Sequence, residues 1–109
     1  MDADFFCLHS ELCKTLANEK RQMILAALRD GELSVSELSE RTGIAQANLS
    51  QHLATMRAHD VVRARREGRS VLYSIANDKL IQAFDLITEV MQESLGERAD
   101  LGGKVRTGG

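Results

Sequence analysis

A mainly α fold carrying a β-hairpin wing, a winged helix-turn-helix, is what this sequence predicts. Three observations point there. Two short amphipathic segments flank a glycine-containing turn at Thr42-Gly43. The apolar period then changes from helical to alternating over residues 61–75. A long amphipathic segment follows, opened by Asn77-Asp78. The expected order is four helices, two strands and a fifth helix, with dimerisation through the first and last helices.

The first helix is expected from about Asp4 to Ala17, where Phe5, Leu8, Leu12 and Leu16 recur at helical spacing. Asn18 is a suitable N-cap for a second helix from Glu19 to about Arg29. Met23, Ile24, Ala27 and Leu28 make its apolar stripe, and Asp30-Gly31 ends it. Ser34-Val35-Ser36-Glu37 reads as a capping box, so a short third helix begins there with Leu38 inward and stops near Thr42-Gly43. A fourth helix spans Gln46 to Ala58, with Leu49, Leu53 and Met56 on one side. Helix, short turn and helix form the helix-turn-helix pattern. Ala45 stands near the fourth helix's N-cap, where Ser or Thr would hold the first turn better; that start is expected to fray when no DNA is bound.

Residues 61–66 and 70–75 read as strands, with Val71, Tyr73 and Ile75 alternating inward and Glu67-Gly68-Arg69 as the hairpin turn. Asn77 caps a last helix from Asp78 to about Leu95. Its apolar set (Leu80, Ile81, Phe84, Leu86, Ile87, Val90, Met91, Leu95) is wider than the arc of roughly 100° that one buried face requires. That excess width, beside an apolar first helix and a thin monomer core, predicts a homodimer. Residues 1–100 are expected to form one DNA-binding and dimerisation domain, and the Gly-rich residues 101–109 a disordered tail.

Composition bounds the function. The chain has 109 residues, is 43% hydrophobic and carries a net charge of −2. The charge is unevenly placed. From Ile44 to Ala76, Arg57, Arg63, Arg65, Arg66 and Arg69 face only Asp60 and Glu67, whereas residues 77–100 are predominantly acidic. A basic middle beside an acidic end suggests one surface for phosphates and another for something else. No apolar run spans a bilayer and the acidic start is unlike a signal peptide, so no membrane partner and a cytoplasmic location are expected, with Cys7 and Cys13 reduced. No nucleophile–base pair, carboxylate pair or phosphate-binding glycine loop stands at a workable spacing, so an enzyme is not expected.

The fourth helix carries the functional signal. With Leu49, Leu53 and Met56 inward, Gln46, Asn48, Ser50, Gln51 and Arg57 are left on outward faces. Gln and Asn can each make two hydrogen bonds to adenine in a major groove, Ser50 can bond a base or a phosphate, and Arg57 suits the phosphate backbone. His52, on the side of Asn48, is read as a packing or phosphate contact. His59 at the helix end suits a capping role. Arg65, Arg66 and Arg69 at the wing can enter a minor groove or clamp phosphates, or simply solubilise a hairpin tip. The competing reading is a winged-helix protein-interaction module without DNA binding.

Leu16-Ala17-Asn18-Glu19-Lys20-Arg21-Gln22-Met23-Ile24-Leu25, Glu32-Leu33-Ser34-Val35-Ser36-Glu37-Leu38, Asn48-Leu49-Ser50-Gln51-His52-Leu53 and Arg65-Arg66-Glu67-Gly68-Arg69-Ser70-Val71-Leu72-Tyr73 stand in an order that closely resembles the ArsR/SmtB family of bacterial and archaeal repressors. The resemblance runs from about residue 8 to 95. It implies a homodimer on operator double-stranded DNA, released by a small inducer such as a metal ion, metalloid or thiol oxidant. Where the family's arsenic-sensing motif has two cysteines, this chain has Ser34 and Ser36, poor ligands for a soft ion. Where its last-helix zinc site would lie stand Asn77, Lys79, Val90 and Glu93, of which only Glu93 is an ordinary ligand. Both sites are expected to be absent.

Cys7, His9 and Cys13 remain as candidate sensor residues for a thiophilic metal ion, a metalloid or an oxidant. Within one helix the two thiols lie about 9 Å apart along the axis and on different faces. They converge only if the helix start unwinds or two subunits bring their first helices together. The other reading makes Cys13 a small buried residue beside the dimer seam and Cys7 an incidental surface thiol.

Overall fold

The computed structural model describes residues 1–102. Helix α1 (Ala3–Leu16) starts at Asp2, whose carboxylate accepts the Phe5 amide at 3.0 Å. Helix α2 (Glu19–Ala27) starts at Asn18, whose side chain accepts the Arg21 amide at 3.1 Å, and passes into a 3₁₀ turn at Leu28–Asp30. Strand β1 is Leu33–Ser34 and leads directly into helix α3 (Val35–Thr42). Helix α4 spans Gln46–Ala58. Strands β2 (Val62–Glu67) and β3 (Ser70–Ile75) form the hairpin, and helix α5 covers Asp78–Gly102. The architecture is the expected winged helix-turn-helix, with a third strand added.

The capping box forms as the sequence demands. Ser34 Oγ accepts the Glu37 amide at 3.2 Å, and the Glu37 carboxylate accepts the Ser34 amide at 3.0 Å. Strand β1 was not foreseen. It pairs antiparallel with β3, Leu33 opposite Tyr73 and Ser34 opposite Leu72, giving the order β1-β3-β2. The wing register sets Val62 opposite Ile75 and Glu67 opposite Ser70, which tightens the turn to Gly68-Arg69. Gly68 has φ +61, a left-handed value at the first loop position of a two-residue hairpin, where glycine costs least.

Packing groups the chain into a unit of Met1–Asp78 and a second beginning at Lys79. The core of the first unit is Ile24, Leu25, Leu28, Leu33, Leu38, Ile44, Leu49, Leu53, Met56, Val61 and Val62, all nearly free of solvent. Each such side chain contributes roughly 1.5–3 kcal/mol on burial. The α2 stripe is rotated by one position from expectation. Leu25 is buried, Met23 is 39% exposed and Ala27 is half-buried, because the larger Leu25 fills the inward arc between Ile24 and Leu28. Along α1, Leu12 and Leu16 are half-buried but Phe5 and Leu8 are exposed. On β3, residues 71–75 are all half-buried, so both faces of this central strand share cover and the expected alternation is lost.

In the second unit, Leu80, Ile81 and Phe84 are half-buried, while Leu86, Ile87, Val90, Met91 and Leu95 are exposed. Helix α5 runs past the expected end at Leu95 to Gly102. Of the tail expected over 101–109, residues 103–109 lie outside the described residues. Among the described residues, no helix is long and apolar enough to cross a membrane.

Candidate nucleic-acid interface

The turn between α3 and α4 is held by short side chains. Gly43 closes α3 at φ +74, its amide bonded to the Ser39 carbonyl at 2.9 Å. Ser39 Oγ donates to the Ile44 carbonyl at 2.7 Å. Thr42 Oγ1 donates to the Leu38 carbonyl at 2.7 Å and accepts the Ile44 amide at 3.2 Å. Ile44 is thereby seated in the core, and the entry angle of α4 is fixed.

Helix α4 buries Leu49, Leu53 and Met56 completely. Gln46, Asn48, Ser50, Gln51 and Arg57 are exposed, as their positions around the helix require. Ala45 is the N-cap, with extended backbone (φ −60, ψ 142) and no side-chain hydrogen bond to the first turn. At the other end the His59 ring Nδ1 lies 3.0 Å from the Thr55 carbonyl, so the imidazole donates there and caps the helix. Asp60 follows at φ 58, and the Val61 amide bonds back to Met56. That left-handed residue turns the chain into the wing.

His52 departs from the expected DNA-facing set. It is half-buried, and its Nδ1 accepts Arg21 Nε–H at 3.2 Å. Burial first, then the charges of Arg21 and Lys20, hold the imidazole below its ordinary value. A neutral ring engaged from α2 packs the helix rather than presenting a cation to phosphate, the first of the two roles read for it.

The wing arginines also divide. Arg65 is engaged in a forked ion pair with Glu32, Nε to Oε2 at 2.6 Å and Nη2 to Oε1 at 2.8 Å, and with Glu67 at 3.1 Å. This pair crosses β3, because Arg65 lies opposite Leu72 and Glu32 immediately precedes β1. The hydrogen bond and charge of Arg65 hold the Glu32 carboxyl below the usual carboxylate range. Arg65 is therefore a strut within the sheet whose side chain stays 54% exposed, and it differs from the other wing arginines in already having carboxylate partners. The side chains of Arg66 and Arg69 are exposed and have no ion pair or hydrogen bond among the described residues.

Four residues that the sequence reading did not assign to this surface join it. Ser50 and Arg57 share a shallow cleft of about 480 Å³ with Ala54, Ala58 and Tyr73, where α4 meets the wing. Ala47 is exposed on the same helix. The signal was present as Ala47, Ala54 and Ala58. Small residues on an outward arc let a helix backbone sit deep in a groove, and an alanine methyl can meet a thymine methyl.

The sequence profile described as "Bacterial regulatory protein, arsR family" matches residues 18–64. The transcriptional activator HlyU of Vibrio cholerae is 42% identical over 76 residues, covering 70% of this chain and 70% of HlyU. The chain belongs to the arsR family. The biofilm growth-associated repressor of Agrobacterium fabrum is 40% identical over 87 residues, covering 77% of this chain and 74% of that protein. The homodimeric winged helix-turn-helix DNA-binding domain Mb0332 of Mycobacterium bovis superposes with a TM-score of 0.80 at 32% identity, covering 87% of this chain and 88% of that one. The arsR family is one of transcriptional regulators, not of enzymes.

In this arsR-family chain the positions of the two familiar metal sites do not fit a metal. Ser34 Oγ is committed to the α3 cap, and Ser36 is an exposed hydroxyl. At the last-helix positions Asn77, Lys79 and Val90 offer no ligand beside Glu93. Near the chain start, Cys7, His9 and Cys13 are all exposed. In a single chain Cys13 is exposed, and its reading as a residue buried beside the dimer seam concerns a surface that only a second subunit would cover. Thr15, the buried side chain of α1, takes the inward position, its hydroxyl donating to the Glu11 carbonyl at 3.1 Å.

Proposed function

We propose that this arsR-family protein is a homodimeric, sequence-specific DNA-binding repressor that acts in the bacterial cytoplasm and is released from its operator by a small inducer. The observation that carries the reading is the outward face of α4. Gln46, Asn48, Ser50 and Gln51 are exposed on a helix anchored by three completely buried side chains. Polar side chains on a fixed helix are what base-edge recognition in a major groove requires. Arg57, Arg66 and Arg69 supply cations for the flanking phosphates.

Dimerisation is supported by the large apolar side chains left exposed in a single chain. Phe5, Phe6 and Leu8 are exposed on α1, and Leu86, Ile87, Val90 and Met91 on α5. Such residues mark association surfaces when they cluster. The M. bovis relative is homodimeric. The A. fabrum relative, a repressor, supports the direction of regulation, which transcription in vitro from an operator-bearing promoter measures directly.

The test is selection of duplexes from a randomised library with the purified full chain. A two-fold dimer enriches inverted repeats with half-site centres about 10–10.5 base pairs apart. Gln46→Ala and Asn48→Ala are expected to relax the enriched sequence while keeping affinity for DNA in general. A library that shows no enrichment refutes the proposal.

A further inference from the structure

We propose that His9 and Cys13 form a two-donor seat for a thiophilic divalent cation, Zn(II) or Cd(II), on the exposed face of α1. The two residues stand four apart on one helix, and Cys13 Sγ lies 3.6 Å from His9 Nδ1. Tetrahedral zinc takes thiolate sulfur at about 2.3 Å and imidazole nitrogen at about 2.0–2.1 Å, which places the two donors about 3.6 Å apart. The hydrogen-bonded pair thus already holds its two donors at the separation a metal chelate needs, and rotation about side-chain bonds, with no change of backbone, would turn both lone pairs to one ion. Each group is open to solvent, so an ion can enter.

The surroundings support the seat. The Phe5 ring centroid is 5.9 Å from that of His9, and Phe6 packs edge-on to Phe5 at 5.7 Å. The Phe5 ring thus stands beside the imidazole, while the pair itself stays exposed. Cys7 takes no part, since six residues along a helix put it on a different face from Cys13. Among the described residues of one chain, no group of three or more His, Cys, Asp and Glu is arranged to hold an ion, so one chain supplies two protein donors here. A thiolate and an imidazole favour Zn(II) and Cd(II) over the hard cations Mg(II) and Ca(II).

Binding is a simple exchange. The Cys13 thiol loses its proton to solvent, its sulfur bonds the cation as thiolate, the Nδ1 lone pair of His9 makes the second bond, and the waters they displace leave the hydrated ion. One proton leaves per ion bound, and nothing is oxidised or reduced. The seat stands on this geometry alone; its role as the effector site rests on the repressor reading above.

The probe is Cd(II) alone, titrated into the reduced full chain and followed by the thiolate-to-cadmium charge-transfer band and by proton release. Cys7→Ser is expected to bind as the wild type does. Cys13→Ser and His9→Gln are each expected to bind about tenfold or more weakly, the least that loss of a ligand costs when loss of a supporting contact alone costs that much. Circular dichroism confirms that these surface variants are folded. Wild-type affinity in Cys13→Ser or His9→Gln overturns the seat, as does a loss in Cys7→Ser equal to that in Cys13→Ser.

The same titration with a library-selected duplex separates the two ideas. Cd(II) is expected to weaken DNA binding by the wild type and not by Cys13→Ser. Cadmium bound at the seat without any change in DNA affinity overturns its effector role. Metal-free protein that binds no duplex refutes the repressor reading and leaves the spectroscopic result for the seat intact.

Discussion

Removing both Arg66 and Arg69 should flatten the salt dependence of DNA binding, while removing Arg65 should not. Arg66 and Arg69 have no partner among the described residues, whereas Arg65 is held by Glu32 at 2.6 and 2.8 Å. Each arginine–phosphate contact adds about 0.9 to the slope of log affinity against log salt. Two such arginines on each wing of a dimer meet four phosphates, so Arg66→Ala with Arg69→Ala lowers the slope by about 3.6. Between about 50 and 200 mM salt this spares the variant roughly a 150-fold loss that the wild type suffers. Arg65→Ala should change the slope by less than about one, because its charge is already neutralised by carboxylates. Any loss of affinity it causes comes from a loosened wing and appears at every salt concentration. Fluorescence anisotropy on one labelled operator across a salt series measures both. A slope reduction in Arg65→Ala equal to that of the double variant would refute the assignment of Arg65 as a strut.

Three further outcomes follow from packing, capping and titration. Leu53→Ala, at a completely buried site, should lower stability by about 2–5 kcal/mol in urea denaturation at fixed protein concentration. Ala45→Ser should raise stability by about 0.5–1 kcal/mol in the same assay, since the N-cap backbone is already extended and lacks only an acceptor. Acid should destabilise the fold in two stages. The lowered His52 imidazole resists protonation in the fold, so stability is full above about pH 6.5 and falls as pH drops from there toward its folded value. The Glu32 carboxyl, lowered by Arg65, keeps its contribution above about pH 4.3 and loses it as pH falls through its folded value. His52→Gln should remove the first stage and Glu32→Gln should diminish the second, each read from urea midpoints across pH.

Local rules made much of this molecule legible. The capping box at Ser34, the turn at Gly43 and the buried trio of α4 each depend on residues within one or two turns of one another, so their spacing suffices to place them. What stayed hidden depends on distant partners. Strand β1 has only two residues, too few to display alternation, and exists through its pairing with Leu72 and Tyr73. Arg65 looked like a third tip arginine because its partner Glu32 is 33 positions away. His52 looked like an outward polar residue because Arg21 arrives from another helix. In α1, spacing correctly gave a helix but could not tell which apolar residues a single chain leaves uncovered, and Phe5 and Leu8 are among them.

The clasp between Glu32 and Arg65 has a mechanical consequence. It fastens the wing to the strand that runs straight into α3, while Ser39 and Thr42 fix the corner from α3 to α4. On the proposed function, helix α4 and the hairpin would then move together as one jaw. A jaw that does not flex internally gives up its grip on a duplex most cheaply by swinging as a whole. Small rotations between two such jaws would throw both the helix and the tip out of phase with the groove at once.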